Sequence, residues 1–260
     1  MKHKCVCFIC IVVLVYFFLI NRTAIRNEYL EFKNQPIVML THTYTDNLEA
    51  LWRGLDWQIG DKQVLCDGED TASKWIASGH STTLIDHNHT KSKLKHSVEQ
   101  SHLKFKAWDS FFVHFEDVDF EYIWVIENDV MYTNKVMTQV QEKYKHEVYD
   151  FIGYYNGVKN EKWMWHKTSC NNNQLCNTDV HGSSVNFCRL SKRLYMEVLK
   201  LVRENNGAYL EKILPGICQV KNWPMISFDE KFVHKKYSYT TRASKKECIA
   251  TNEILHKCVI

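Results

Sequence analysis

Residues 122–129 have the sequence Tyr-Ile-Trp-Val-Ile-Glu-Asn-Asp, in which five uncharged β-branched or aromatic residues precede two carboxylates. The apolar run predicts a strand that is covered on both faces, as in the centre of a parallel sheet. In an extended chain residues i and i+2 point to the same side, so Glu127 and Asp129 are expected to converge on one hard cation. Ligands of open α/β sheets bind beyond the carboxyl ends of the strands, where this pair lies. The stretch therefore predicts metal-assisted handling of a phosphate ester.

Two alternatives remain open for this acidic pair. Glu127 and Asp129 can also be solvated turn residues, because Asn and Asp favour turns for their own reasons. A second acidic triplet, Asp117-Val118-Asp119, matches an Asp-x-Asp pattern more literally. It precedes the strand, so it is expected at the amino edge of the sheet, where such folds do not build sites. We therefore predict that residues 117–119 form a polar loop.

Further strands and helices alternate along the chain around this stretch. We predict strands at 36–40, 63–66, 81–85 and 150–154, and helices at 46–55, 97–115, 135–146 and 190–203. This alternation predicts an α/β fold with a Rossmann-type, mostly parallel sheet flanked by helices. Ser191 is the expected start signal of the last helix. Residues 35–260 are long enough for one such domain, and a net charge of +3 gives no reason to expect a nucleic-acid partner.

An uninterrupted apolar run at residues 5–20 lies between a short tail at 1–4 and a short stem at 21–34. As a helix it spans about 24 Å, slightly less than a typical hydrocarbon core. A cleaved signal peptide is the alternative, but no small-x-small cleavage site follows the run. We expect an uncleaved transmembrane signal anchor, with a cytoplasmic tail at 1–4 and residues 35–260 in the lumen of the secretory pathway.

Seven of the ten cysteines follow the apolar run, and an odd number leaves at least one unpaired. Cys170 with Cys176, and Cys248 with Cys258, are close enough in sequence to form local disulfides. Zinc binding is the alternative, but no Cys-x-x-Cys doublet occurs among these seven. Asn88-His89-Thr90 is a glycosylation sequon, which predicts a glycoprotein.

Taken together, the signal anchor, the Rossmann-like amino half and the strand that ends in an acidic-x-acidic motif resemble a Golgi-type glycosyltransferase of the GT-A fold. The resemblance covers residues 35–260 and is architectural, with short motifs. It implies that Glu127-Asn128-Asp129 binds a divalent cation, Mn²⁺ or Mg²⁺, which bridges the diphosphate of a nucleotide sugar. Asp129 is then the expected direct ligand. The motif departs from the usual Asp-x-Asp at its first position.

The resemblance implies further residues for the donor site. Nucleotide contacts at the ends of the first strands fall on Thr41, Thr43 and Asp67, for which ordinary strand-end turns are the alternative. A late histidine that completes the metal site falls on His256, for which a surface or core position is the alternative. Lys106 is a candidate phosphate contact, and a solvated helix face is the alternative.

The second half of the chain, which would bind the acceptor, contains fewer recognisable motifs. Residues 181–188, ahead of a predicted helix, look like the small-residue segment that shapes acceptor and donor-sugar pockets in such enzymes. Trp163, Trp165 and Trp223 are candidates for stacking on sugar rings, or for core positions. Glu211 is the candidate general base, because an inverting transfer needs a carboxylate to take the acceptor proton. The alternative is a helix-surface glutamate that is paired with a cation such as Lys212.

The sequence thus predicts a single-pass type II membrane glycosyltransferase of the Golgi or ER. Its expected partners are a nucleotide sugar, a glycan, glycoprotein or glycolipid acceptor, and the membrane through its N-terminal helix. A non-enzymatic, membrane-tethered carbohydrate-binding protein or an inactive transferase relative is the main alternative. A Golgi sulfotransferase is a weaker one, because residues 41–46 lack the basic and glycine residues of a phosphate-cradling loop.

Overall fold

A computed structural model of the chain describes residues 35–98, 107–159, 175, 179–204, 209–233 and 254–256. The strands are β1 (Ile37–Thr41), β2 (Lys62–Cys66), β3 (Thr82–Leu84), β4 (Tyr122–Glu127), β5 (Val130–Met131), β6 (Phe151–Lys159), β7 (Val180–Ser191), β8 (Met225–Ser227) and β9 (Leu255–His256). The helices are α1 (Asp46–Arg53), α2 (Glu69–Ala77), α3 (His87–Lys93), α4 (Ala107–His114), α5 (Asn134–Tyr144), α6 (Lys192–Arg203) and α7 (Leu210–Lys221).

Seven strands of the described ranges form one sheet in the order β3-β2-β1-β4-β7-β6-β8. β7 runs antiparallel to its neighbours β4 and β6, and the other six strands run parallel to one another. A separate antiparallel pair consists of β5 and β9. The predicted mostly parallel sheet with flanking helices is therefore confirmed.

The central strand β4 is covered on both faces, as its apolar sequence predicts. Trp124 and Ile126 pack in a cluster with side chains of α1, α2 and α5, whereas Ile123 and Val125 pack with α4, α6 and α7. None of the four is more than 2% exposed. Burial of one such side chain contributes about 1.5–3 kcal/mol. The strand that leads to the acidic pair is thus fixed in the middle of the domain.

Hydroxyl side chains cap the N-terminal ends of three helices. Thr45, Thr133 and Ser191 each accept a hydrogen bond from the backbone N–H three residues later, at the starts of α1, α5 and α6. Such a cap contributes about 1 kcal/mol, because it satisfies a backbone donor that has no partner inside the helix. The start signal expected at Ser191 is confirmed.

Two elements differ from the sequence expectation. The helix predicted at 97–115 is described only as α4, because residues 97 and 98 are not helical and 99–106 are outside the described ranges. Residues 181–188, expected to be a pocket-shaping segment ahead of a helix, are the middle of the twelve-residue strand β7. Their small side chains have weak strand propensity, but pairing with β4 on one side and β6 on the other overrides it.

No helix within the described ranges combines the length and the apolar character that a membrane crossing requires. The predicted span at residues 5–20 lies outside those ranges, as do the tail and the stem.

Cys66, Cys188 and Cys218 are buried free thiols. The expectation of at least one unpaired cysteine is therefore confirmed. The four cysteines of the two predicted disulfides, Cys170, Cys176, Cys248 and Cys258, lie outside the described residues.

Candidate functional site

The predicted donor-site residues follow neighbouring strands at one edge of the sheet. Leu40 pairs with Glu127 across β1 and β4, and Thr41 pairs with Cys66 across β1 and β2. The chain segments that follow these strands therefore meet at one edge, which we call the carboxyl edge. Sites of open α/β sheets form at this edge.

The Glu127 carboxylate is held by side chains from two neighbouring elements. Trp108 Nε1 on α4 donates to Glu127 Oε1 at 2.8 Å, and Asn186 Nδ2 on β7 donates to Oε2. Both donors are neutral, so they orient the carboxylate without cancelling its charge. Burial and then the nearby Glu127 charge raise the pKa of the Cys188 thiol. Each carboxylate oxygen has two lone pairs and can accept from more than one partner.

Asp129 lies in a turn and not in the strand. β4 ends at Glu127, and residues 128 and 129 turn the chain into β5. The expectation that extended geometry aligns Asp129 with Glu127 is therefore wrong, because the period of two applies only within the pleated strand. The Asn128 N–H donates to Leu40 O at 3.1 Å, which ties the turn to β1. Asp129 is half-buried at this position.

The pairing of β5 with β9 brings the C-terminal histidine to this turn. Val130 pairs with His256, so the His256 backbone lies opposite the residue that follows Asp129. The side chain of His256 is not among those described, and its role as a metal ligand stays a prediction. Among the side chains that are described, no three His, Cys, Asp or Glu residues gather around one point.

The Thr41 hydroxyl is used inside the turn that follows β1. It donates to Thr43 O at 2.9 Å and accepts from the Thr43 N–H at 3.1 Å, and Thr41 is only 2% exposed. Trp75 Nε1 on α2 donates to the same Thr43 carbonyl at 3.1 Å. Thr41 thus shapes the turn, as the strand-end alternative predicts. Thr43 is half-buried, and its contact with a nucleotide stays a prediction.

Asp67 is paired with a histidine at the carboxyl edge. His87 Nε2 lies 2.9 Å from Asp67 Oδ1, and the two side chains are 42% and 43% exposed. Gly68 follows with φ of +97°, in the left-handed region that favours glycine, so the chain turns directly from β2 into α2. The Asp67 N–H donates to Thr41 O at 2.9 Å. Asp67 and His87 therefore present two adjacent polar groups at the ends of β2 and β3.

Glu211 lies in the first turn of α7 and is only 5% exposed. The alternative of a helix-surface glutamate is therefore wrong. The Leu210 N–H donates to Val98 O at 2.9 Å, so this turn packs against residues 97–98. Lys212, the next residue, is fully buried as well. The role of Glu211 as a general base stays a prediction.

The buried Asp109 connects this turn to the helix that holds Glu127. Its two oxygens accept from the Ser97 hydroxyl at 2.7 Å and from the Val98 N–H at 2.8 Å. Asp109 follows Trp108 on α4, and Trp108 donates to Glu127. Lys106, the predicted phosphate contact, precedes α4 and lies outside the described residues.

The rival acidic triplet lies where the sequence predicts, in the loop between α4 and β4 at the amino edge. Lys192 Nζ donates to the backbone carbonyls of Glu116 and Val118, at 2.8 Å in each case, and so holds this loop. Asp117 and Asp119 are therefore separated from the carboxyl edge by the length of β4.

Trp223 is also at the amino edge, immediately before Pro224 and β8. The Arg193 guanidinium lies 4.6 Å from the centre of its ring, and Lys221 Nζ lies 5.2 Å from it. Trp223 is partly buried and packs against the core, as the core alternative predicts, and its stacking on a sugar ring stays a prediction. Trp163 and Trp165 lie outside the described ranges.

Trp108 and Asn186 both orient Glu127 at the carboxyl edge, but neither is among the site residues predicted from the sequence. Asn186 has a detectable signal, since it lies between Val185 and Phe187, and a polar side chain inside a buried strand needs a partner. No sequence signal identifies Trp108, because the partner of its indole N–H depends on how α4 packs against β4.

No protein-family model and no curated protein matches the chain. Among solved structures, the chain is similar to the inositol-1-phosphate CTP transferase from T. maritima, with 11% identity and a TM-score of 0.46 over 75% of this chain and 85% of that one. It is also similar to CMP:2-keto-3-deoxy-manno-octonic acid synthetase complexed with CTP, with 8% identity and a TM-score of 0.41 over 75% and 89% of the two chains. Both TM-scores lie below 0.5, so neither likeness indicates what this chain does.

Proposed function

We propose that the chain is a metal-dependent glycosyltransferase that moves a sugar from a nucleotide-sugar donor to a glycan, protein or lipid acceptor. The observation that carries this proposal is the position of Asp129, in a turn at the carboxyl edge two residues after an oriented carboxylate. Trp108 and Asn186 orient that carboxylate, Glu127. A carboxylate at the carboxyl edge suits a cation and the diphosphate that it accompanies.

In this proposal Asp129 is the direct ligand of Mn²⁺ or Mg²⁺, and His256, opposite Val130, completes the site. Carboxylate oxygens are the ligands that such hard cations prefer. When bound, the cation supplies positive charge that stabilises the leaving diphosphate. Glu127, which is already oriented by two donors, contacts the cation, its water or the ribose from a fixed position.

The remaining roles follow the position of each residue. Asp67 and Thr43 contact the nucleotide, since an ionised carboxylate accepts hydrogen bonds from ribose hydroxyls. Lys106 contacts a phosphate, and Glu211 takes the proton of the acceptor hydroxyl. Residues 5–20 anchor the chain in the Golgi or ER membrane, with residues 35–260 in the lumen.

A screen of nucleotide sugars tests the proposal. The purified full-length protein in detergent is incubated with each donor, with Mn²⁺ or with EDTA, and the release of nucleoside diphosphate is measured. We expect one donor to be turned over only when Mn²⁺ is present. Metal-dependent binding of a nucleoside diphosphate without turnover of any donor would favour the inactive relative or carbohydrate-binding protein. Release of pyrophosphate from CTP, or transfer of sulfate from an activated sulfate donor, would contradict the proposal.

A further inference from the structure

His87, the first residue of α3, has no ring nitrogen available for a ligand. Its Nε2 nitrogen lies 2.9 Å from Asp67 Oδ1, at the carboxyl edge. A carboxylate can only accept a hydrogen bond, so His87 Nε2 carries the proton of this contact. The Nδ1 nitrogen is buried, and no group within the described ranges forms a hydrogen bond with it. His87 can therefore influence a ligand only through Asp67.

Asp67 has a second carboxylate oxygen that His87 does not use. Within the described part of the chain, the Asp67 carboxylate accepts one hydrogen bond, from His87 to Oδ1, and Oδ2 accepts none. The Asp67 side chain is 43% exposed, so a ligand can reach it. Oδ1 also has a second lone pair. The carboxylate therefore presents two acceptor oxygens at the carboxyl edge.

The backbone on both sides of this pair is fixed. The Asp67 N–H donates to Thr41 O at 2.9 Å, and the preceding residue, Cys66, is fully buried. The Ile85 N–H donates to Cys66 O at 2.8 Å, which ties the chain ahead of His87 to the end of β2. Ile85 is 6% exposed and packs in the core. The position of the Asp67 carboxylate is thus largely set before a ligand binds, which lowers the entropy cost of binding.

Two acceptor oxygens on one fixed carboxylate suit a ligand that has two adjacent hydroxyl groups. The 2′ and 3′ hydroxyls of a ribose are such a pair, and each can donate to one carboxylate oxygen. A 2′-deoxyribose lacks one of these donors. A site that is built to bond a hydroxyl group discriminates strongly against the analogue without it, because its own polar group is then left without a partner.

We propose that His87 is a positioning residue, which holds Asp67 so that the pair selects a ribonucleotide over its 2′-deoxy counterpart. The proposal rests on the proposed function, in which Asp67 contacts the nucleotide. Without the hydrogen bond from His87, the partly exposed Asp67 side chain can occupy other rotamers, and contact with both hydroxyls then costs more entropy. The His87 hydrogen bond thus affects the discrimination between the two sugars more than the affinity for the diphosphate.

Dissociation constants of nucleoside diphosphates in their ribo and 2′-deoxy forms test the proposal. They are measured with Mn²⁺ for the purified full-length protein in detergent, with the uridine, cytidine, guanosine and adenosine pairs. The parent is expected to bind the deoxy form of its preferred nucleotide about tenfold more weakly than the ribo form. His87→Phe keeps an aromatic ring but removes the donor, and it is expected to reduce this ratio to about threefold or less. His87→Gln keeps an N–H donor and is expected to retain most of the ratio.

His89→Phe is the matched control. His89 is exposed two residues later on α3, and its ring has no partner within the described residues. This variant is expected to bind both nucleotide forms like the parent. In an Asp67→Ala background, His87→Phe is expected to cause no further change in the ratio, because the two residues act as one unit.

Three outcomes would overturn the role of His87. These are equal ratios in the parent and in His87→Phe, the same change in His89→Phe, and a loss of Mn²⁺ affinity in Asp67→Ala without nucleotide, which would make Asp67 a metal ligand. Discrimination through His87 without sugar transfer would contradict the proposed function alone. Sugar transfer with an unchanged ratio in His87→Phe would contradict the role of His87 alone. Absence of binding by every nucleoside diphosphate would contradict both.

Discussion

At the scale of single residues, the carboxyl edge contains two carboxylates in different surroundings. Glu127 is oriented by Trp108 and Asn186, at the end of a buried strand. Asp129, two residues later, is in a turn. We therefore expect Glu127 to contribute to stability as well as to the site, and Asp129 to act mainly in the chemistry.

Asp129→Asn removes a charge without a change in volume, and its position beyond the strand leaves the core intact. We expect normal folding and a loss of transfer rate of roughly a hundredfold, which corresponds to about 3 kcal/mol of transition-state stabilisation. The measurement is the release of nucleoside diphosphate at saturating donor. Asp119→Asn, the same change in the loop at the amino edge, is the control and is expected to leave the rate nearly unchanged. The reverse pattern would rule out the metal site proposed here.

Glu127→Gln places an amide between two N–H donors. The oxygen of the new side chain can accept from Trp108 or from Asn186, but its NH₂ group then faces the other donor. An unsatisfied buried donor costs about 1–3 kcal/mol, so we expect the free energy of unfolding to fall by that amount in a urea titration. Asp129→Asn provides the comparison and is expected to unfold like the parent. Equal free energies of unfolding for the parent, Glu127→Gln and Asp129→Asn would show that the two hydrogen bonds to Glu127 do not stabilise the fold.

At the scale of elements, a buried cation joins β7 to the end of α5. Arg189 is fully buried and donates to the backbone carbonyls of Tyr144, Glu147 and Tyr149. Its guanidinium lies 4.1 Å from the centre of the Tyr122 ring. Burial lowers the pKa of Arg189 to about 10, so the group is still charged at neutral pH. A positive charge at the C-terminal end of α5 is also favourable for the helix dipole.

Arg189→Met keeps an unbranched aliphatic stem but removes every hydrogen-bond donor. Three carbonyls then lose a charged partner in a buried site, and we expect a loss of about 3 kcal/mol or more in the free energy of unfolding. Chemical denaturation measures this loss. Arg53→Met is the control, since the Arg53 side chain is 61% exposed and its removal is expected to cost about 0.5 kcal/mol or less. Similar losses in both variants would contradict the structural role of Arg189.

At the scale of the whole molecule, two ion pairs join segments that are distant in sequence. Glu116 pairs with Arg203 on α6, and Asp229 pairs with Lys143 on α5. In each pair the hydrogen bond with the cation lowers the pKa of the carboxyl group below its ordinary value, which is 4.5 for Glu116 and 3.8 for Asp229. Both pairs therefore link the stability of the fold to pH.

The sign of this linkage follows from the lowered folded-state pKa. Stability from each carboxylate is complete above its unfolded-state pKa and is lost as the pH falls through the folded-state pKa. We expect the melting temperature to fall as the pH is lowered from about 6 toward 3. Glu116→Gln combined with Asp229→Asn should melt lower at neutral pH but lose less on acidification. If the melting temperature of this variant fell on acidification as much as that of the parent, neither ion pair would contribute to the pH dependence of stability.

The N-terminal anchor is a prediction for the intact chain in its membrane. We expect the mature protein to retain residues 1–20 and to carry an endoglycosidase-sensitive glycan on Asn88, which is exposed on α3. Sequencing of the amino terminus checks the first point. The change in gel mobility on endoglycosidase treatment checks the second, with Asn88→Gln as the control. A new terminus near residues 21–25, or an unmodified Asn88 with a cytosolic carboxyl terminus, would contradict the anchor.

The sequence by itself determined the elements whose signal is local. The apolar residues of 122–126 occupy both faces of β4, so they predict burial on both sides, and this is what the structure has. Ser191 predicts the start of α6, because a cap needs only a donor three residues away. The position of Asp117–Asp119 before β4 likewise follows from chain order alone.

Only the tertiary structure decided the surroundings of the acidic pair. The donors to Glu127 are 19 and 59 residues away in the chain, and no local pattern relates Trp108 or Asn186 to Glu127. The turn at Asp129 and the approach of His256 depend on the pairing of β5 with a strand from the carboxyl terminus. Patterns of period two or 3.6 report which face of an element is buried. They do not report which distant side chain lies opposite, because that depends on how the completed elements pack.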